Sequence, residues 1–252
     1  MKNIQVLSAL LKKDSEGDKL LRFLPDSMIR EVRTDQGHLH PLEDISLKEL
    51  FQKIDKSWYE EKLTPFHKAL LEETFPEPMT KYFLSIFFHE LFEKDLPLPL
   101  SFLPDHPLSY LATASLEHLN KLCFYLGLFD LEIKNVLKGS LLINLEKALK
   151  EDEIAFCRTM QSKFSLGPIG LNQWNEEASV LRKVLFERGV YRLSLGICDA
   201  HPDLAWYVWH TFPKEVSILL QKFPKRSMDS RIWGMILQQI TMAWKSVCTV
   251  LS

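Results

Sequence analysis

"HPDLAWYVWHTFPKEVSILLQKFPKRS", His201 to Ser227, is the stretch on which the fold turns. It places Trp206, Tyr207, Trp209 and Phe212 within seven residues, with His201 and His210 close by. Pro202 and Pro213 each follow a residue that can open a helix, and the first helical turn tolerates a missing amide donor. On a helical wheel Leu204, Tyr207, Val208 and Thr211 share one side, Ala205, Trp209 and Phe212 share another, and Trp206 falls toward His210. Little of the circumference stays polar, so such a helix belongs between other helices. Full burial of one large aromatic side chain is worth roughly 2–3 kcal/mol, enough for these rings to anchor a core. A ligand cage would need rings converging on one concavity. Trp206 and Trp209, three residues apart, can do that, but Tyr207 points elsewhere. The preferred reading is a helical core in which Trp209 is a folding residue. A partner-binding surface and a small-ligand cage are the other uses of the same rings.

Composition extends that reading to the whole chain. Of 252 residues, 46% are hydrophobic and 25% charged, and the net charge is −2. This is globular composition with no basic field for nucleic acid and no acidic tail. There are 9 glycines, whereas roughly one residue in six is Leu, a strong helix former. Scarce Gly and dense Leu predict an all-α protein. Cys123, Cys157, Cys198 and Cys248 are far apart and match neither a zinc site nor a redox pair. The short apolar run at the N-terminus is ended by Lys12 and Lys13, and no stretch approaches the ~18 apolar residues of a membrane span. A cytoplasmic protein without direct membrane insertion is expected.

Helix signals recur along the chain. Ser46-Leu47-Lys48-Glu49 is a capping box, followed at helical spacing by Leu50, Phe51, Ile54 and Trp58. Thr64-Pro65 opens another element, and 79–94 is apolar nearly all round. "KDLPLPLSFLPDHPLSY" (94–110) holds four prolines and reads as an extended connector or a seam. It predicts a helical subdomain over 1–93, the connector 94–110, and a subdomain of stacked helices over 111–252. In the last, Ser115 caps one helix, Asn175 opens another that ends at Gly189, and 190–200, 203–211 and 214–223 read as three short helices before a longer one over 229–250. Short helices must stack to be stable, as in armadillo-like or HEAT-like arrays or an irregular bundle.

Chemical motifs are sparse. "HELFE" (89–93) starts like a zinc-protease helix, but Glu93 stands where the second His is needed. "LGPIG" lacks the Lys-Ser/Thr of a phosphate loop. No metal, nucleotide or other cofactor is expected, and no catalytic residues are assigned.

One resemblance is carried by His201-Pro202, Phe212-Pro213, Glu215 and Phe223-Pro224. Their spacing resembles the helical repeats of the G-type flagellar motor-switch protein and of type III secretion adaptors. Ala200 replaces the acid that family prefers before His-Pro, and Phe-Pro replaces its closing Leu-Pro. The resemblance implies a non-enzymatic cytoplasmic adaptor that binds protein partners in a larger bacterial assembly. An enzyme with a site at the subdomain seam, or a helical domain for a small molecule or lipid, are the alternatives. The 229–250 helix is apolar on more than one side, and surplus of that kind marks binding surfaces. Met235 and Met242, with the basic Lys222, Lys225 and Arg226 beside them, are the expected protein-interaction residues.

Overall fold

A computed structural model describes residues 47–65, 67–68, 77–103, 106–131, 140–160, 178–221 and 230–251. Those residues form nine α-helices and no strand, the all-α architecture that the composition predicts. In chain order they are α1 (Leu47–Lys53), α2 (Glu77–Phe92), α3 (Leu116–Leu128), α4 (Ser140–Ala148), α5 (Glu151–Met160), α6 (Ala178–Ile197), α7 (Pro202–Thr211), α8 (Lys214–Gln221) and α9 (Ser230–Leu251). The chain divides into two compact units. One comprises residues 1–113 with 200–217, the other 114–199 with 218–252. Helix α7 belongs with the N-terminal helices in the first unit.

In the first unit the proline-rich segment builds core. Leu96, Leu98, Leu100, Leu103 and Leu108 are buried. Proline removes amides that would need partners, and the backbone turns through a 3-10 helix at Leu100–Phe102. The Leu98 amide and carbonyl are met by α7, whereas the Phe102 and Leu103 amides donate within the segment to the Pro99 and Leu100 carbonyls at 2.9 and 3.2 Å. The Asp203 carboxylate accepts from the Leu98 amide at 2.9 Å and from Lys94 Nζ at 3.0 Å, and the Tyr207 hydroxyl donates to the Leu98 carbonyl at 2.9 Å. His201 caps α7 through Nδ1, which accepts from the Asp203 amide at 3.2 Å, with Pro202 in the first turn.

The rest of this core is aromatic. Phe51 of α1 stacks on Phe87 of α2 at 5.2 Å between centroids, and Phe88 meets Trp206 at 5.1 Å. Helix α1 stops at Lys53 rather than running on to Trp58, because Asp55 caps a 3-10 turn over Lys56–Trp58 by accepting from the Ser57 amide. That turn is pinned to the end of α7. The Asp55 amide donates to the His210 carbonyl at 2.8 Å, and the Trp58 indole donates to the Phe212 carbonyl at 2.8 Å.

The second unit is built on the α3–α6 pair. Ser115 caps α3 as its sequence signal predicts, accepting from the His118 amide at 3.3 Å. Helix α6 corrects the sequence reading. Gly189 is not a terminator, and Ala178–Ile197 is one continuous helix. A Cβ on Gly189 would collide with the Cys123 carbonyl of α3, and one on Gly127 with the Leu185 carbonyl of α6. These glycines let two helix backbones touch, a packing use that outweighs their low helix propensity. Helix α9 lays Ile236, Ile240, Ala243 and Val247 into this unit.

Arg192 of α6 is fully buried. Its guanidinium donates through Nη2 and Nε to both oxygens of Asp130, and through Nη1 to Gln239 of α9. A bidentate pair with a third acceptor satisfies a cation that would be prohibitive alone. Closer to the surface, Arg182 forks onto Glu153 with two bonds of 3.0 Å and covers the Phe124 ring at 4.1 Å.

Candidate protein-binding surface

Helix α2 begins with Pro78 in its first turn, where proline is best tolerated. Its two faces differ sharply. Phe87, Phe88 and Leu91 are buried to 2% exposure or less and hold the helix in the aromatic core. Opposite them Tyr82 is 63% and Ile86 42% exposed, one turn apart and therefore adjacent along the helix surface. His89 and Glu90 continue that exposed face toward the C-terminus.

The C-terminal end of α2 is tied down by polar contacts. Lys62 Nζ donates to the Leu91 carbonyl at 2.7 Å, a cation meeting the negative end of the helix dipole. His67 Nε2 lies 3.1 Å from Glu90 Oε2. Glu93 ends the helix in the left-handed region at φ 52°, its amide bonded to the His89 carbonyl at 2.8 Å. Glycine is the usual residue there, and a side chain costs about 1 kcal/mol. His89 and Glu93 are both exposed. Among the described residues no group of three or more His, Cys, Asp or Glu side chains is placed to hold a metal ion.

The rings of the opening stretch form core. Trp206 is 6% exposed and packs on Phe92 and Tyr207. His210 fills the space between the two indoles, 4.1 Å from the Trp206 ring and 4.3 Å from Trp58. Its Nδ1 lies 2.9 Å from the Trp206 carbonyl. A carbonyl only accepts, so Nδ1 carries the proton. Burial pushes the imidazole down to about 4, which keeps it neutral. Trp209, assigned above as the folding residue, is half-buried, and Trp206 is the ring that anchors the core. The wheel of α7 alone could not reveal this, because the choice was made by Phe88, Phe92 and Trp58 on other elements.

Of the expected interaction residues, Met235 and Met242 are half-buried on one edge of α9, two turns apart. Lys222, Lys225 and Arg226 lie outside the described residues. The outward face of α9 between its edges is largely polar, carrying Gly234, Gln238, Lys245 and Thr249. Tyr82 and Ile86 had passed unnoticed because α2 is apolar nearly all round in sequence, which hides which side faces out.

Lys53 was also missed. Its Nζ is buried without a hydrogen-bond partner, and burial lowers its pKa from the ordinary 10.5 to about 7. Its position three residues after Leu50, at the margin of the α1 apolar stripe, is the only sequence hint. In comparisons with protein-family models, curated proteins and solved structures, nothing matches this chain.

Proposed function

We propose that this protein is a helical adaptor that binds a protein partner through the outer face of α2. The observation that carries the reading is the exposure of Tyr82 and Ile86 on a helix whose opposite face is locked into an aromatic core. A rigid helix loses little conformational freedom on binding, and a tyrosine beside an aliphatic residue is the composition of binding hot spots. The half-buried Met235 and Met242 edge of α9 is a second, smaller surface of the same kind.

The setting proposed is a cytoplasmic assembly of the type III secretion or flagellar kind. It rests on the motor-switch-like spacing of 201–224, in which His201-Pro202 opens α7 and Pro213 precedes α8 with Glu215 in its first turn. The unpaired thiols of Cys198 and Cys248, both exposed, support a reducing compartment.

A photo-crosslinking residue placed at position 82 tests the reading. In the source cell it should capture a discrete protein partner, whereas the same probe at exposed Glu187 should not. Equal labelling from the two positions, or none from position 82, would remove the α2 surface as the binding site.

A further inference from the structure

We infer that the partner segment received by α2 is a basic amphipathic helix, its apolar side chains set against Tyr82 and Ile86 and its lysines or arginines toward the C-terminal end of α2. The inference rests on the adaptor reading and adds the chemistry of the occupant.

The argument starts from the polarity of the outer face. Its middle carries the exposed apolar Tyr82 and Ile86, and toward its C-terminal end it runs into Glu90, Glu93 and Asp95, all exposed. The Lys62 contact on the Leu91 carbonyl ties the Glu60–Lys62 turn to this end, adding exposed Glu60 and Glu61. The lysines present are largely engaged already. Lys62 caps the helix end, and Lys94 is held by buried Asp203 at 3.0 Å. Lys68, beside His67, is exposed. The region keeps a clear excess of negative charge next to an exposed apolar ridge.

Folding accounts for Glu90, which meets His67 Nε2 at 3.1 Å, and for Asp95, 4.0 Å from His89 Nδ1, but not for Glu93. A helix C-terminus is already negative and favours cations, yet Glu93 stands there. Glu93 also occupies a left-handed position better suited to glycine. A residue that works against local stability at an exposed site points to binding. A cationic segment complements these carboxylates and the negative end of the helix dipole, and an amphipathic helix presents apolar groups at the i, i+4 spacing that Tyr82 and Ile86 present in return. Charge of this kind steers the encounter, while the ridge supplies the contact.

The test is to pan a displayed random-peptide library on the full chain and measure the enriched peptides against two kinds of variant. One is Tyr82→Asp with Ile86→Asp, with Tyr82→Ser and Ile86→Ser as a milder pair, and the other is Glu90→Gln, Glu93→Gln and Asp95→Asn. Circular dichroism and melting confirm that each variant folds. Enriched peptides should carry net positive charge, lose binding at least about tenfold to the ridge variants, and weaken about tenfold with the acid variant and between 50 and 500 mM salt. Peptides that need Tyr82 and Ile86 but are neutral or acidic, and ignore the acid variant, would overturn this inference and leave the adaptor reading standing. Peptides indifferent to Tyr82 and Ile86, or no enrichment at all, would overturn both.

Discussion

In the first unit Trp206 is surrounded by Phe88, Phe92, Tyr207 and His210, whereas in the second Gly127 and Gly189 bring the backbones of α3 and α6 together. The first core is filled by large side chains, whereas the second, beside its Tyr125, Phe129 and Phe156 rings, has a helix pair that closes on glycine. The difference sets how each core fails. A side-chain-filled core is injured by deletion, which leaves a cavity. A backbone contact is injured by addition, because a carbonyl of a neighbouring helix cannot step aside as a flexible side chain can.

The largest effect is expected from deletion in the first core. Trp206→Ala should lower the unfolding free energy by about 3–5 kcal/mol. Trp209→Ala, from a half-buried site in the same helix, should cost at most about half as much. Urea unfolding of the two variants measures the contrast. Equal losses would mean that the ring contacts of Trp206 do not distinguish it, and the account of this core would fail.

Addition should injure the second core. Gly189→Ala gains about 1 kcal/mol of helix propensity, yet the new methyl meets the Cys123 carbonyl. A net loss of roughly 2–3 kcal/mol is expected. Gly234 of α9 provides the control, since a Cβ there meets nothing within 4 Å, and Gly234→Ala should be neutral or stabilising. If thermal melts show both variants gaining stability, the helices are not in backbone contact at Gly189.

The sequence carried the first-order fold because its signals are local. The Ser115 cap, the His201-Pro202 start of α7 and the length of α9 are set by neighbours within a turn or two. What it concealed depends on residues far apart. Gly189 reads as a helix end until Cys123, 66 residues earlier, is placed against it. Arg192 looks like a surface charge until Asp130 and Gln239 close around it. The leucines of 94–108 look like a linker until they are seen buried, with Asp203 and Tyr207 taking the backbone bonds of Leu98. The exposed Tyr82–Ile86 ridge had the same fate. An all-apolar helix does not declare its outside until Phe87, Phe88 and Leu91 are seen inside.

The buried cations sharpen the comparison most finely. Arg192 in the second unit is matched by Asp130 and Gln239, but Lys53 in the first has a buried Nζ with no hydrogen-bond partner. Burial brings the Lys53 amine down to about 7 in the folded protein, while in the unfolded chain it titrates near its ordinary 10.5. Between those values the unfolded chain binds more protons, so stability rises with pH through that window. Below about 7 both states are protonated and the full penalty applies. Lys53→Met keeps the stem and removes the amine, so it should stabilise the protein by at least about 2 kcal/mol at pH 7. The advantage should shrink by more than half by about pH 10. Unfolding free energies of the two proteins at matched pH isolate this amine from every other titrating group. A difference that stays flat across the window would show that Lys53 reaches solvent or a partner after all. The two units would then treat their buried cations alike.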